Sequence, residues 1–289
     1  MCIRDRAFVI RFDKLNIEDV VFTDPKINPK TKALNAAILN KQTKKGFGIE
    51  TPNMKAPFGV SAYDPSDGAD ETKITYSLPL SVEFKPTEEA TDEESVDIKG
   101  QRQLIEFLKG MDALMIDYGI KHSQMIFKKT YANTPANRGI VEALYTKAIK
   151  DNVGKDGTQY PDRINIKLMR NQAGTGPDDK ILFFKESSTP LVIENWKSLS
   201  ETIPKGSTVK AIIQPQIFFV AGKFGLKVKL IQMKLPNVQR VGRPITYAFS
   251  EPPAEEVATV VKKSSDTHAD DSDAEPDTVE ETEEENAEA

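Results

Sequence analysis

The chain has 289 residues, 38% of them hydrophobic, with 39 Lys/Arg against 44 Asp/Glu and a net charge of −5. No run of eighteen apolar residues and no basic-then-apolar leader is visible, so nothing in it reads as a membrane span or a secretory signal. The single cysteine, Cys2, excludes an internal disulfide and fits a reducing compartment.

The net charge hides a split. Residues 251–289 hold 15 acids and 2 lysines, a balance of −13, whereas residues 1–250 hold 29 acids and 37 bases, a balance of +8. A basic body tied to an acidic end suggests a polyanion-binding surface with a built-in competitor. Residues 1–6, Met-Cys-Ile-Arg-Asp-Arg, read as a non-native start, residues 7–250 as one folded domain, and residues 251–289 as a disordered acidic tail, for want of aromatics and apolar periodicity.

In chain order, Phe8 to Phe12 reads as a short strand, and Asp24-Pro25 and Asn28-Pro29 as turns. Residues 31–50 read as two strands joined by a basic turn carrying Lys41, Lys44 and Lys45. Residues 51–60 form an extended connection into a further strand, and Asp64-Pro65 with Asp67-Gly68 a turn. From Ile74 to Phe84 apolar residues alternate with polar ones, and Pro79 argues for an edge position or a bulge because it cannot donate to a ladder. Residues 83–97, rich in acids, read as an exposed loop. Leu104, Ile105, Leu108, Met111, Leu114, Met115 and Tyr118 fall on one helical face within 101–118, with Gly119 as terminator. A second helical patch around Ile140, Val141 and Leu144 follows Pro135. After a Gly-containing turn, Ile164, Ile166 and Leu168 alternate with Arg163, Asn165 and Lys167 in a strand from Asp162 to Arg170. Ile181 to Phe184 and Leu191 to Ile193 read as short strands.

The stretch from Ser207 to Leu235 organises the rest: two β-rich runs around Ala221-Gly222, the pattern of an antiparallel hairpin. Alternation points Val209, Ala211, Ile213, Ile217 and Phe219 to one side and Lys210, Gln214, Gln216 and Phe218 to the other. On the return run Leu226, Val228 and Leu230 alternate with Lys227 and Lys229. Strands, helices and strands again, joined mostly by short turns, predict a mainly β fold with a helical insertion: an OB-type antiparallel β-barrel with one or two helices, an open sandwich being the alternative.

The candidate site is one basic, aromatic face: Lys210, Gln214, Gln216, Phe218, Lys223, Phe224, Lys227 and Lys229 from the hairpin, with Arg163 and Lys167 from the strand before it. A single strand of nucleic acid needs cations along its backbone and flat apolar surfaces under its bases. The plainer alternative is a solvated sheet face whose lysines blunt an edge and whose phenylalanines belong to the core. Phe218 and Phe219 lie on opposite faces, so one is core. Trp196, the only tryptophan, is a weaker candidate. No catalytic constellation, metal site or cofactor motif is present: His122 and His268 stand alone, no Cys/His spacing suits zinc, Gly174-Thr-Gly176 lacks the Lys-Ser/Thr of a phosphate loop, and Asp151 and Asp156 miss the calcium pattern.

Three segments carry a resemblance: Thr51-Pro-Asn-Met-Lys-Ala-Pro-Phe-Gly-Val60, Thr75-Tyr-Ser-Leu-Pro-Leu-Ser81, and the hairpin with Phe218-Phe219 before Lys223-Phe224-Gly225. In these the chain resembles the single-stranded-DNA-binding proteins of large nucleo-cytoplasmic DNA viruses, which are similar in turn to the short-tailed phage replication protein of that role. The resemblance spans about residues 7–250 and includes the acidic end. It implies an OB fold, non-sequence-specific binding and annealing of single-stranded DNA, a homodimer, a tail that contacts replicative polymerase and helicase, and work in a viral replication compartment of host cytoplasm or nucleus. Phe218 and Phe224 are carried over as stacking candidates. Unlike the phage tails, this chain ends at Glu288-Ala289 without a terminal aromatic. The rival reading is an acidic-tailed chaperone or structural virion protein that binds no nucleic acid.

Overall fold

Residues 8–65, 73–82, 96–153, 157–185 and 188–235 are described by the computed structural model. The expected non-native start, most of the acidic loop, Asp67-Gly68, His268 and the acidic tail lie outside them. The first part of the chain supplies β1 (Phe8–Arg11), β2 (Val20–Phe22), β3 (Lys26–Ile27), β4 (Leu34–Asn35), β5 (Ile38–Asn40), β6 (Phe47–Glu50), β7 (Met54–Ala56), β8 (Ser61–Tyr63) and β9 (Thr75–Ser81). Three helices follow, α1 (Val96–Lys121), α2 (Ser123–Phe127) and α3 (Pro135–Ala143). The remainder is β10 (Tyr145–Thr146), β11 (Ile149–Val153), β12 (Gln159–Leu168), β13 (Leu182–Phe184), β14 (Pro190–Leu191), α4 (Trp196–Thr202), β15 (Ser207–Val220) and β16 (Lys223–Lys234).

Five of these strands close on themselves. β15 pairs with β7 from Ser207↔Ala56 to Val209↔Met54, and β7 meets β9 at Lys55↔Ser81. β9 runs antiparallel to β12 from Ser81↔Arg163 to Tyr76↔Leu168. β12 lies parallel to β16 at Ile166↔Val228 and Lys167↔Lys229, and the β15–β16 hairpin completes the ring. Numbered by chain order within the ring, the strands stand 1-2-3-5-4, the arrangement of a five-stranded OB barrel. The expected barrel is present, with one parallel contact, between its third and fifth strands.

Alternation fills the interior. Met54, Leu78, Leu80, Ile164, Ile166, Val209, Ala211, Leu226, Val228 and Leu230 are all buried. A register shift between Ile212 and Ile213 leaves Ile231 as the extra residue of β16. Inward positions therefore change from Leu226, Val228 and Leu230 to Met233 and Leu235, as a bulge requires. Ala221 and Gly222 both have positive φ (48° and 76°), the demand of a two-residue turn whose twist matches its strands.

Three expectations change. Gly119 does not end the helix; α1 runs to Lys121, and Gly119 sits where a Cβ would strike the Phe224 ring and approach Val141 Cγ1 to 2.9 Å. Its missing side chain is a packing requirement. Pro79 is at no bulge, and the edge expected there is local to an inner strand: it is buried opposite Asn165, where the other side of β9 passes from β8 (ending at Ser77) to β7 (at Ser81), so no ladder partner is registered on that side. The α-helices are four among the described residues, beside two single-turn 3-10 helices (Phe12–Lys14 and Ile17–Asp19), and α4 occupies the stretch between the third and fourth barrel strands. Its start is fixed by a reciprocal cap in which Asn195 Oδ1 accepts from Ser198 N at 2.9 Å and Asn195 N donates to Ser198 Oγ at 3.2 Å.

Helix α1 covers part of the barrel core through Leu104, Leu108, Met111 and Met115, all fully buried. Asp112 on the same helix accepts from Tyr145 Oη at 2.5 Å and from Ala148 N at 3.0 Å, which ties α1 to the β10 segment. Burial holds the Asp112 carboxyl above the usual carboxylate range, partly offset by those donors.

Candidate nucleic-acid interface

The outward positions of neighbouring barrel strands line up in rows, because paired residues share a face. One row runs Ser61, Ser77, Lys167, Lys229, Gln214 across β8, β9, β12, β16 and β15. Two residues further along, Pro79 stands opposite Asn165 and Lys227 opposite Gln216. Phe218 stands opposite Gly225, and its Cε1 lies 2.9 Å from where a Gly225 Cβ would be, so the absence of a side chain there lets the half-buried ring settle across the neighbouring strand.

Lys167, Lys227 and Lys229 form the electrostatic centre. Burial lowers the Lys227 pKa from its ordinary value, and the charges of Lys167 and Lys229 lower it further. Among the described residues no carboxylate pairs with any of the three. Like charges directly across a ladder are destabilising by roughly 0.2 to 1 kcal/mol, a cost that an arriving anion turns into attraction. Flanked by Gln214 and Gln216, the cluster is suited to phosphate oxygens, with cations for charge and amides for directed hydrogen bonds.

A second basic group lies further along β12. Arg163 is opposite Ser81 on one side and Lys150 on the other, and Ser81 is opposite Lys55. The Arg163 guanidinium lies 5.2 Å from the centroid of the Phe58 ring. That ring is 46% exposed on the connection between the first and second barrel strands. Gly59 (φ 61°) holds the connection close: a Cβ there would come within 2.6 Å of Ile203 O. In OB folds the face of strands two and three and the loop joining strands one and two are where oligonucleotides bind. Phe58, Lys55, Lys150 and the exposed Tyr63, opposite Thr75, escape sequence reasoning because strand register over tens of residues brings them to this face. The Thr51-to-Val60 segment contains Phe58, and its isolated aromatic after Pro57 was the available signal.

Other expected residues stand differently. Phe224 is 0% exposed and packs against Tyr145 and Phe127 at centroid distances of 5.1 and 5.5 Å, so it is core and no stacking platform. Its parity with Leu226 and Val228 carries it inside. Lys210 shares the outward face, but its Nζ lies 2.6 Å from Glu50 Oε1, and Glu50 is 1% exposed, so its charge is already matched. Lys223 is exposed beside the hairpin turn. Phe219 packs on the core, opposite in face to Phe218. Trp196 is buried and stacks on Tyr76 at 3.7 Å and 6°, with the Arg170 guanidinium 5.7 Å from the Tyr76 ring centroid; its role is structural. His122 lies 3.4 Å from Asp24 at the end of α1, away from the lysine cluster's strands. Among the described residues no group of three or more His, Cys, Asp or Glu could hold a metal ion.

No protein-family model and no curated protein matches the sequence. Among solved structures, the chain is similar to the single-stranded DNA-binding protein from bacteriophage Enc34 in complex with ssDNA, at 15% identity and a TM-score of 0.32, over 78% of this chain and 98% of that one. It is also similar to gp2.5, a single-stranded DNA binding protein encoded by bacteriophage T7, at 11% identity and a TM-score of 0.34, over 67% of this chain and 90% of that one. Both are phage proteins; the narrower likeness to those of large nucleo-cytoplasmic DNA viruses is carried by the sequence segments alone.

Proposed function

We propose that this protein binds single-stranded DNA without sequence preference through the outer face of its barrel. The observation that carries the reading is the cluster of Lys167, Lys227 and Lys229, which no carboxylate among the described residues pairs, bordered by Gln214, Gln216 and Phe218. Cations and amides directed at phosphate and sugar carry no sequence information, and stacking on a ring tolerates any base. The reading assigns coating and protection to the protein, and no chemistry.

The wider role draws on composition and on the resemblance of the three segments. It is work in viral DNA replication, recombination and repair, in a replication compartment of the host cytoplasm or nucleus, by a chain that pairs as a homodimer. The tail, at −13 against a body at +8, competes for the groove and, when displaced by DNA, recruits polymerase and helicase.

A fluorescence titration with labelled oligothymidine tests the central claim. Binding is expected, with log K falling against log salt by about 0.7 per phosphate neutralised. No binding at low salt would favour the acidic-tailed chaperone or virion protein. Deleting residues 251–289 should tighten binding, most at low salt; an affinity unchanged across salt would remove the competitor role from the tail.

A further inference from the structure

The basic turn between β5 and β6 has no place in the barrel face, yet it lies against it. Gly46 is so close to Gln214 that a Cβ on it would stand 3.6 Å from Gln214 Nε2. Gln214 is opposite Lys229, which neighbours Lys167. At Gly46, just before β6, the chain therefore puts no side chain between Gln214 and the turn. Gly48, two residues on and within β6, is buried: a Cβ there would meet Ile212 Cγ2 at 3.0 Å and Val9 Cγ2 at 3.7 Å, which anchors the strand that leaves the turn.

The turn is built rigidly. Asn40, buried, accepts at Oδ1 from Gln42 N (3.1 Å) and Thr43 N (2.9 Å), while its own N–H donates to Lys45 O (2.9 Å) and its carbonyl accepts from Lys44 N (2.8 Å). Lys41 N donates to Asp19 O at 2.7 Å, and Gln42 Nε2 to Asp19 Oδ1 at 3.2 Å. Lys44 has φ 54°, where Gly or Asn would be less costly. Lys41, Lys44 and Lys45 are all exposed, and among the described residues no carboxylate pairs with them. A pinned turn that presents three exposed ammonium groups, unpaired by any carboxylate among the described residues, beside Gln214 at the end of the lysine row is preorganised to meet phosphate as a clamp.

We propose that the turn at residues 41–46 is a second phosphate-binding element outside the barrel, which receives single-stranded DNA after it has crossed Lys167 and Lys229. This rests on the reading of the barrel face given above. Neighbouring strands lie about 4.8 Å apart, so the route from Lys167 through Lys229 and Gln214 to β6 covers roughly 15 Å across the strands. Such a route suits the roughly 4 to 16 nucleotides that one OB fold covers.

The test uses the full chain, short and long oligothymidines, and a triple variant, Lys41→Gln with Lys44→Gln and Lys45→Gln. On the long oligomer the salt slope should fall by about 2, and affinity near 0.1 M salt should drop about 100-fold, for three lost contacts. The short oligomer, held by the barrel alone, should bind as before, and arginine at all three positions should restore the long-oligomer affinity. A triple variant that keeps the wild-type affinity and slope on the long oligomer overturns the clamp and leaves the barrel reading intact. Equal loss on both lengths also overturns it, since the turn would then act through the barrel's shape. Failure of the wild-type chain to bind either oligomer overturns the barrel reading and the clamp together.

Discussion

Replacing Lys227 and Lys229 together by glutamine removes two charges while keeping a polar side chain only one atom shorter. If each meets one phosphate of a bound single strand, the slope of log K against log salt becomes shallower by about 1.4. With the salt-independent part of binding unchanged, affinity near 0.1 M salt falls about 25-fold, or about 2 kcal/mol, and near 0.3 M only about 5-fold. The fold should not suffer, because Lys227 is already disfavoured in its charged form by burial and by Lys167 and Lys229. Its thermal midpoint should hold or rise. Fluorescence anisotropy of labelled oligothymidine over a salt series reads the slope, and circular dichroism melting reads the fold. Lines for wild type and variant that run parallel would refute the argument, because a loss independent of salt is no loss of phosphate contacts. A lowered midpoint would instead reassign these lysines to structure.

Phe224→Ala should destabilise the domain by about 3 to 5 kcal/mol in urea unfolding, since it empties a fully buried site, whereas Phe218→Ala should leave the midpoint nearly unchanged and weaken oligothymidine binding. Ala221→Asn should raise stability by about 1 kcal/mol, because the turn demands positive φ where alanine is poorly suited, and thermal denaturation checks the sign. The Lys227 pKa is lower in the folded chain than in the unfolded one, so between the two values the unfolded state binds more protons and stability rises with pH. In the same range the cluster loses charge, so DNA affinity should decline at alkaline pH before ordinary lysines titrate near about 10.4. Lys227→Arg should shift that decline upward; an unchanged pH profile would contradict the argument.

The alternation of Ile74 to Phe84 and of the Ser207-to-Leu235 hairpin made the barrel legible, since period two over a dozen residues admits few other structures. The lysines at 227 and 229 followed from the same alternation. Counting back from Leu226 also places Phe224 inside, but the glycine at 225 and the nearby turn masked that parity. Lys210 was illegible in a different way: its partner Glu50 lies 160 positions earlier and comes beside it only through the pairing of β15 with β6. Phe58, Lys55 and Lys150 depend on such long-range register too. Gly119 looked like a terminator because nothing local announces that Phe224 will press on it. Helix α4 did announce itself, in Asn195 and Ser198 three residues apart, but its seven residues are too few for a hydrophobic period to emerge.

The parallel contact between β12 and β16 is two residue pairs long, and one of those pairs is Lys167 with Lys229. The ring is thus fastened at a short joint whose outer edge carries two charges that push apart. The chain holds this joint shut against a wedge of its own making, and on the proposed reading a phosphate lodged between the two ammonium groups would be a clasp. On that reading, a bound strand would brace from the solvent side a ring that packing of its core already closes.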